Sequence, residues 1–272
     1  MTPLFDQLSL RAAQWNVVLD ETRKTEGSLL GFGLCNGIRV VLKVSTFNDE
    51  RNSGAVLRAF QGAGTVTVLE SAEGAVLLER LDPATELVEL VRAGGDEEAT
   101  GISAELISRM ANHEPPAGCP TVFDWGLAFD RYIDDQIPSQ LVHKARDIYH
   151  HLAASQKQTM LLHGDFHHYN ILFDSKRGWV VIDPKGVVGE LEYEVGAMIR
   201  NPFELPDVYV STAVVQRRLK QLTDALNLDY DRALRWAFAQ AVLSVIWHVE
   251  DGFTVTPTHP HLRLAEVIWP LL

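Results

Sequence analysis

The sequence predicts an α+β chain of two unequal lobes, a small antiparallel β lobe with one helix over residues 1–81 and a larger, mostly helical lobe over 82–272. Three observations predict it. Up to about Leu81 the apolar runs are short and bounded by Gly, Asn and Asp, as strands are. From Asp82 onward, longer stretches with helical spacing dominate. A single β island interrupts that helical half. With 272 residues the chain is long for one core and short for three, and 46% hydrophobic with 22% charged residues is an ordinary globular balance, so one or two packed lobes are expected.

The elements follow in order. The runs "WNVVLD" (15–20), "SLLGFGLC" (28–35), "IRVVLKVS" (38–45), "GTVTVLES" (64–71) and "GAVLLERL" (74–81) predict a five-stranded antiparallel sheet. Between the second and third strands stands Asn36-Gly37, the pair preferred by a two-residue hairpin turn. The stretch "DERNSGAVLRAFQGA" (49–63) predicts the helix of the small lobe. Beyond it, "SAELISRMANH" (103–113), "QLVHKARDIYHHLAAS" (140–155), "AVVQRRLKQLTDAL" (213–226) and "RALRWAFAQAVLSVIWHV" (232–249) predict helices, and "HEPPAGCP" (113–120) a loop. The β island is "NILFDSKRGWVVID" (170–183), two strands around a polar turn.

Charge and cysteine usage narrow the function classes. The 24 basic against 36 acidic residues give a net charge of −12, which opposes binding to nucleic acid or an anionic membrane and draws cations. Cys35 and Cys119 make no disulfide or zinc framework, so a reduced compartment is expected. No basic segment followed by an apolar stretch opens the chain, and no apolar run approaches the roughly 18 residues of a membrane span. The expected location is the cytoplasm, with no obligate protein partner.

The chemistry concentrates in "LLHGDFHHYNILF" (161–173), which holds three histidines, an aspartate and an asparagine within eight positions. His163, His167, His168 and Asp165 are possible zinc ligands. A helix bringing His163 and His167 onto one face is disfavoured by Gly164 and by the β-rich "ILF" that follows. Phosphoryl transfer fits better. It requires an aspartate to accept the proton of the attacking hydroxyl, and an asparagine with a second aspartate to hold Mg²⁺ on the phosphates. Asp165 and Asn170 have the separation of base and metal ligand, and Asp183 in "WVVIDPKG" closes the next hairpin.

"HGDFHHYN" followed by "VVIDPKG" resembles the aminoglycoside phosphotransferase group of the protein-kinase-like fold. "GWVVIDPKGVVGELEYEVGAMIRNP" is similar to the streptomycin 6-phosphotransferase and hydroxyurea phosphotransferase family. The resemblance covers nearly the whole chain and implies a bilobal kinase-like fold that uses ATP and Mg²⁺. The small lobe supplies the lysine and glutamate such a reading needs: Lys43 ends "IRVVLK", and Glu50 opens the following helix. "GFGLCNG" nearly reproduces a glycine-rich phosphate loop, but its spacing is off by one and Asn36-Gly37 reads as a turn. The phosphate-covering turn then falls in "ETRKTEGS", where Thr22, Thr25, Gly27 and Ser28 offer hydroxyls and amides. By position in the resembling family, the Glu79 carbonyl and the Leu81 N–H would take the adenine, while Arg80 and Asp82 have no catalytic role.

A cationic small-molecule acceptor would call for carboxylates around Asp165. Glu190, Glu192 and Glu194 follow the metal aspartate, and Glu250 with Asp251 closes the last long helix; each also reads as a surface or helix-terminal acid. Trp247 reads as core. Two function classes stay open: a kinase of an aminoglycoside such as streptomycin, or of hydroxyurea or another small hydroxylated metabolite, and a non-enzymatic nucleotide-binding module. Lys43, Asp165, Asn170 and Asp183 together favour the enzyme, because a degenerate module has no need to retain a base with two metal ligands.

Overall fold

The computed structural model describes residues 4–25, 27–45 and 52–272. The first lobe contains α1 (Leu4–Gln14), β1 (Val17–Lys24), β2 (Ser28–Cys35), β3 (Ile38–Ser45), α2 (Ser53–Ala59), β4 (Val68–Ala72) and β5 (Ala75–Glu79). The strands form one antiparallel sheet in the order β1-β2-β3-β5-β4. At the β2–β3 turn Asn36 and Gly37 both have positive φ, +49° and +80°, the backbone that keeps the twist of the flanking strands continuous. The lobe has a second helix that the strand pattern does not announce. Leu8 and Ala12, four apart, place α1 on Val40, Leu42, Val44 and Leu77, and these bury together.

The fourth strand begins later than the apolar run suggests, because the stretch before it pairs with the other lobe. Val66 donates its N–H to the Val181 carbonyl, and the Val181 N–H donates to the Gly64 carbonyl. Arg177 reinforces this seam, reaching Glu79, Thr67 and the Thr65 carbonyl from the opposite lobe.

The second lobe runs through β6 (Pro83–Glu86), α3 (Leu87–Arg92), α4 (Asp96–Met110), α5 (Val122–Gly126), α6 (Ala128–Arg131), α7 (Ser139–Ala154), β7 (Met160–Leu162), β8 (Ile171–Asp174), β9 (Gly178–Val181) and β10 (Val187–Gly189). It continues with α8 (Leu191–Ile199), α9 (Pro206–Tyr209), α10 (Thr212–Leu226), α11 (Tyr230–Glu250) and α12 (Pro260–Ile268). The β8–β9 hairpin forms as its sequence predicts, and β6 adds a third strand to it immediately after Leu81. β7 pairs with β10 in a separate ladder. The 163–170 loop and the 182–186 segment therefore lie between two small ladders that fix both of their ends. Helix α11 is apolar on nearly every face, Trp236, Phe238, Val242 and Ile246 among them, and packs against α7, α8 and α12 as the lobe's central helix.

Candidate active site

Asp165 lies on a loop held in place by His163. The His163 Nε2 donates to the Ile182 carbonyl at 2.8 Å, and its Nδ1 accepts the Asp165 N–H at 3.2 Å. Its own carbonyl accepts the N–H groups of Lys185 and Gly186, both at 3.0 Å. Burial lowers this imidazole to about 4, so it is neutral near pH 7. With both ring nitrogens used inside the protein, His163 is not a zinc ligand. Beside it, Gly164 adopts φ +82°, and a Cβ there would stand 2.7 Å from the Trp125 ring.

Glu194 on α8 lies beneath this loop and is almost wholly buried. Its two oxygens accept the N–H groups of His163 at 2.5 Å and Gly164 at 3.0 Å. Burial outweighs these bonds and raises the carboxyl to about 7. The residue faces loop backbone, so its place in the structure is under the catalytic loop and not among acceptor contacts.

Around Asp165 stand His167, Lys185 and Arg200. His167 Nε2 lies 3.5 Å from one carboxylate oxygen and Arg200 Nη2 3.7 Å from the other. Burial works to raise this carboxyl, but His167, Lys185 and Arg200 outweigh it and hold it well below the usual range. Arg200 is itself fixed by Gln240, whose Oε1 accepts from Nη1 at 2.9 Å while its Nε2 donates to the Tyr193 carbonyl at 2.6 Å.

Asn170 closes a short 3₁₀ turn, His168–Asn170. Its Nδ2 donates to the Asp165 carbonyl at 3.0 Å, and its own carbonyl accepts the Ile182 N–H at 2.9 Å. The amide oxygen is left facing away from that bond. Asp183, next to Ile182, has φ +59°, a left-handed conformation that a non-glycine residue adopts at a cost and that recurs at functional sites. Lys43 Nζ meets Asp183 Oδ1 at 2.5 Å. The Asp183 carboxylate and the Asn170 amide oxygen are hard oxygen donors, the kind that suits Mg²⁺.

Lys43 and Asp183 stand in a cavity of about 590 Å³ between the lobes, which is also lined by Thr25, Ser28, Glu79 and Leu81. Of the "ETRKTEGS" stretch, Arg23, Thr25, Gly27 and Ser28 line it, and Thr25 bonds back to the Ser28 carbonyl through both its N–H and its hydroxyl. Thr22 is exposed within β1. The Glu79 N–H donates to the Thr67 carbonyl, which turns this residue's own carbonyl away from β3, while the Arg80 N–H donates to the Arg39 carbonyl. Arg80 stacks over Phe32 at 4.9 Å and Asp82 pairs with Arg39 at 3.2 Å. Glu50 lies outside the described residues.

The comparisons with known proteins bear on this arrangement. Residues 14–252 match the family described as "Aminoglycoside/hydroxyurea antibiotic resistance kinase". The chain belongs to this family. Among its relatives, a streptomycin 3''-kinase of Klebsiella pneumoniae is 30% identical over 78% of this chain and 80% of its own length. A streptomycin 6-kinase of Streptomyces griseus is 28% identical over 86% of this chain and 78% of its own. The fold matches solved structures of low identity. A thermostable mutant of the aminoglycoside phosphotransferase APH(4)-Ia, in ternary complex with AMP-PNP and hygromycin B, has a TM-score of 0.68 at 17% identity, covering 96% of this chain and 97% of that one. The choline kinase LicA from Streptococcus pneumoniae has 0.67 at 13%, covering 98% of each. The chain is thus a kinase of the protein-kinase-like fold.

The carboxylates expected around the acceptor distribute differently in this kinase. Glu190 is buried and accepts hydrogen bonds from Arg232 Nε and Trp236 Nε1, both at 2.5 Å, at a depression lined by neither Asp165 nor Asp183. Its charge is consumed by that packing. Glu250 pairs with Arg131 at 3.1 Å, and Asp251 caps the end of α11. Sequence reasoning missed Glu86, Glu89 and Glu204, which gather around Arg92. Burial, and then Glu89, raise the Glu86 carboxyl, and Glu86 lines the cavity beside Tyr169. Glu204 lies 118 residues from Glu86, so no local pattern connects them.

Proposed function

We propose that this kinase transfers the γ-phosphoryl group of ATP to a hydroxyl of a cationic aminoglycoside of the streptomycin type, and does so in the cytoplasm. The observation that carries the reading is the convergence of Asp165, Asn170, Asp183 and Lys43 where the His163–Ile182 link joins the two loop segments. The relatives named as streptomycin kinases and the net charge of −12 support the choice of acceptor. The lobes meet near residues 81–82, where the Glu79 carbonyl and Leu81 N–H are proposed to take the adenine edge.

Lys43 grips the α- and β-phosphates, and the Thr25–Ser28 turn covers them; Glu50 is proposed as the lysine's partner on the sequence pattern alone. Asn170 and Asp183 would hold Mg²⁺, which when bound offsets the charge on the phosphate oxygens. Asp165, kept ionised by its cationic neighbours, accepts a hydrogen bond from the acceptor hydroxyl and takes its proton as the new P–O bond forms and ADP departs. Glu86, Glu89 and Glu204, together with Glu250 and Asp251, supply the negative surface on which a polycation is drawn in.

A coupled assay of ADP release with streptomycin, hygromycin B and hydroxyurea as acceptors tests this. Streptomycin-dependent turnover with a phosphorylated product is the expected result. Turnover with hydroxyurea alone would move the acceptor to the other branch of the family, and no acceptor-dependent turnover would sink the reading.

A further inference from the structure

Beyond the base, a cluster of rings gathers at the start of α12. His259 is almost wholly buried, and its Nδ1 accepts the His261 N–H at 3.2 Å. Nε2 is therefore the protonated nitrogen, and it is a buried donor with no partner among the described residues. Burial, then His248, lowers this ring to about 4, so it is neutral near pH 7. Three rings meet it: His248 edge-on at 5.1 Å, His261 at 5.4 Å and Phe203 at 5.7 Å. Phe253 in turn stacks on His248 at 4.6 Å with an interplanar angle of 20°. Phe203 and Phe253 are 39% and 45% exposed, so the cluster has an open face.

Its position is fixed by two links to the catalytic loop. The Arg200 carbonyl is bonded to His261 Nε2 at 2.9 Å, and the same residue's guanidinium reaches Asp165. Phe203 follows three residues later, packed on His259 and His261. On α11, Trp247 precedes His248 and meets edge-on the Trp125 that covers Gly164. One route begins at Asp165 itself and the other at the glycine that precedes it, and none of these rings lines the cavity that holds Lys43 and Asp183.

We propose that Phe203, His248, Phe253 and His259 form the distal wall of the acceptor pocket. The exposed rings take the flat face of a guanidinium or ammonium-bearing ring by cation–π contact, and the His259 Nε2–H donates to an acceptor oxygen. Carboxylates draw the polycation in from a distance, whereas this wall selects shape at contact range. The proposal rests on the aminoglycoside reading above and adds the part of the pocket that binds away from the reacting hydroxyl.

The test measures streptomycin binding calorimetrically to the protein loaded with Mg²⁺ and AMP-PNP, alongside acceptor KM in the coupled assay. His259→Asn keeps a side-chain oxygen for the start of α12, a position where asparagine is favoured, but removes the ring and its Nε2–H. Phe253→Ala alters an exposed ring and leaves the core intact. Each is expected to weaken streptomycin binding and raise its KM roughly tenfold, the scale of one lost aromatic or hydrogen-bond contact, with the affinity for AMP-PNP unchanged. If the parent binds streptomycin and both variants bind it equally well, the wall is wrong. If the parent binds neither streptomycin nor hygromycin B, the aminoglycoside reading falls and takes the wall with it.

Discussion

At the scale of single residues, the separation of roles at the site is the most direct thing to test. Asp165→Asn preserves shape and hydrogen bonding but cannot take a proton. It is expected to bind nucleotide and acceptor like the parent, with kcat lower by about 10²-fold or more, the scale of a lost general base. Asp183→Ala removes a hard oxygen donor while the β8–β9 hairpin keeps its ladder, so loss of Mg²⁺-dependent turnover with an unchanged circular dichroism spectrum is expected. Near-parental turnover in either variant, measured by ADP release, would reassign these roles. His163 belongs at this scale too: its identity reads as chemistry in the sequence, yet it acts as a hydrogen-bonded brace between two loops.

Among the elements, α8 has the greatest influence on the site, through Glu194 and Gly196. Glu194 has a folded pKa of about 7 against an ordinary 4.5, so the folded state holds its proton more tightly than the unfolded chain does. A raised pKa contributes stability that is fully present below the unfolded value and is lost as pH rises through the folded one. Glu194→Gln does not titrate. The stability of the parent relative to this variant is therefore expected to fall, on the order of 1–3 kcal/mol, as pH rises from about 4.5 to about 7. Urea melts of both proteins across that range check the sign; a constant difference would contradict the burial of a titrating carboxyl. Gly196 is a packing requirement. A Cβ there would stand 2.5 Å from the Gln240 amide that holds Arg200, so Gly196→Ala must displace Gln240. A destabilisation of about 1–3 kcal/mol is expected, together with a fall in kcat as Arg200 loses its support beside Asp165, read from thermal melts and the coupled assay.

Across the whole molecule, the lobes are joined by backbone and by charge. Gly64 and Val66 pair with Val181, Arg177 reaches back to Glu79, and β6 passes from the end of one lobe into the sheet of the other. A nucleotide seated in the cavity between them touches both lobes, so binding should stabilise the whole chain. AMP-PNP with Mg²⁺ at a hundred times its Kd adds about 2.7 kcal/mol, and a rise in Tm of roughly 5 °C or more is expected by calorimetry. The same addition to Asp183→Ala should give a smaller rise. Equal rises in the two proteins would remove Asp183 from the nucleotide site.

The five-stranded sheet, the Asn36-Gly37 turn, the β8–β9 hairpin and the separation of Asp165, Asn170 and Asp183 were all readable from the sequence. Each depends on residues close together along the chain, whose alternation, turn preference and spacing act locally. Helix α1 escaped because two buried residues in eleven make a faint stripe, and β6 because a four-residue strand draws its identity from its partner β8. What only the tertiary structure decided was the use of each carboxylate. Glu190 and Glu194 stand four apart and read alike, yet one meets Arg232, 42 residues onward, and the other meets the amide of His163, 31 residues back. Burial and a charged partner set the role of an acid, and when the partner comes from a distant segment no periodicity announces it.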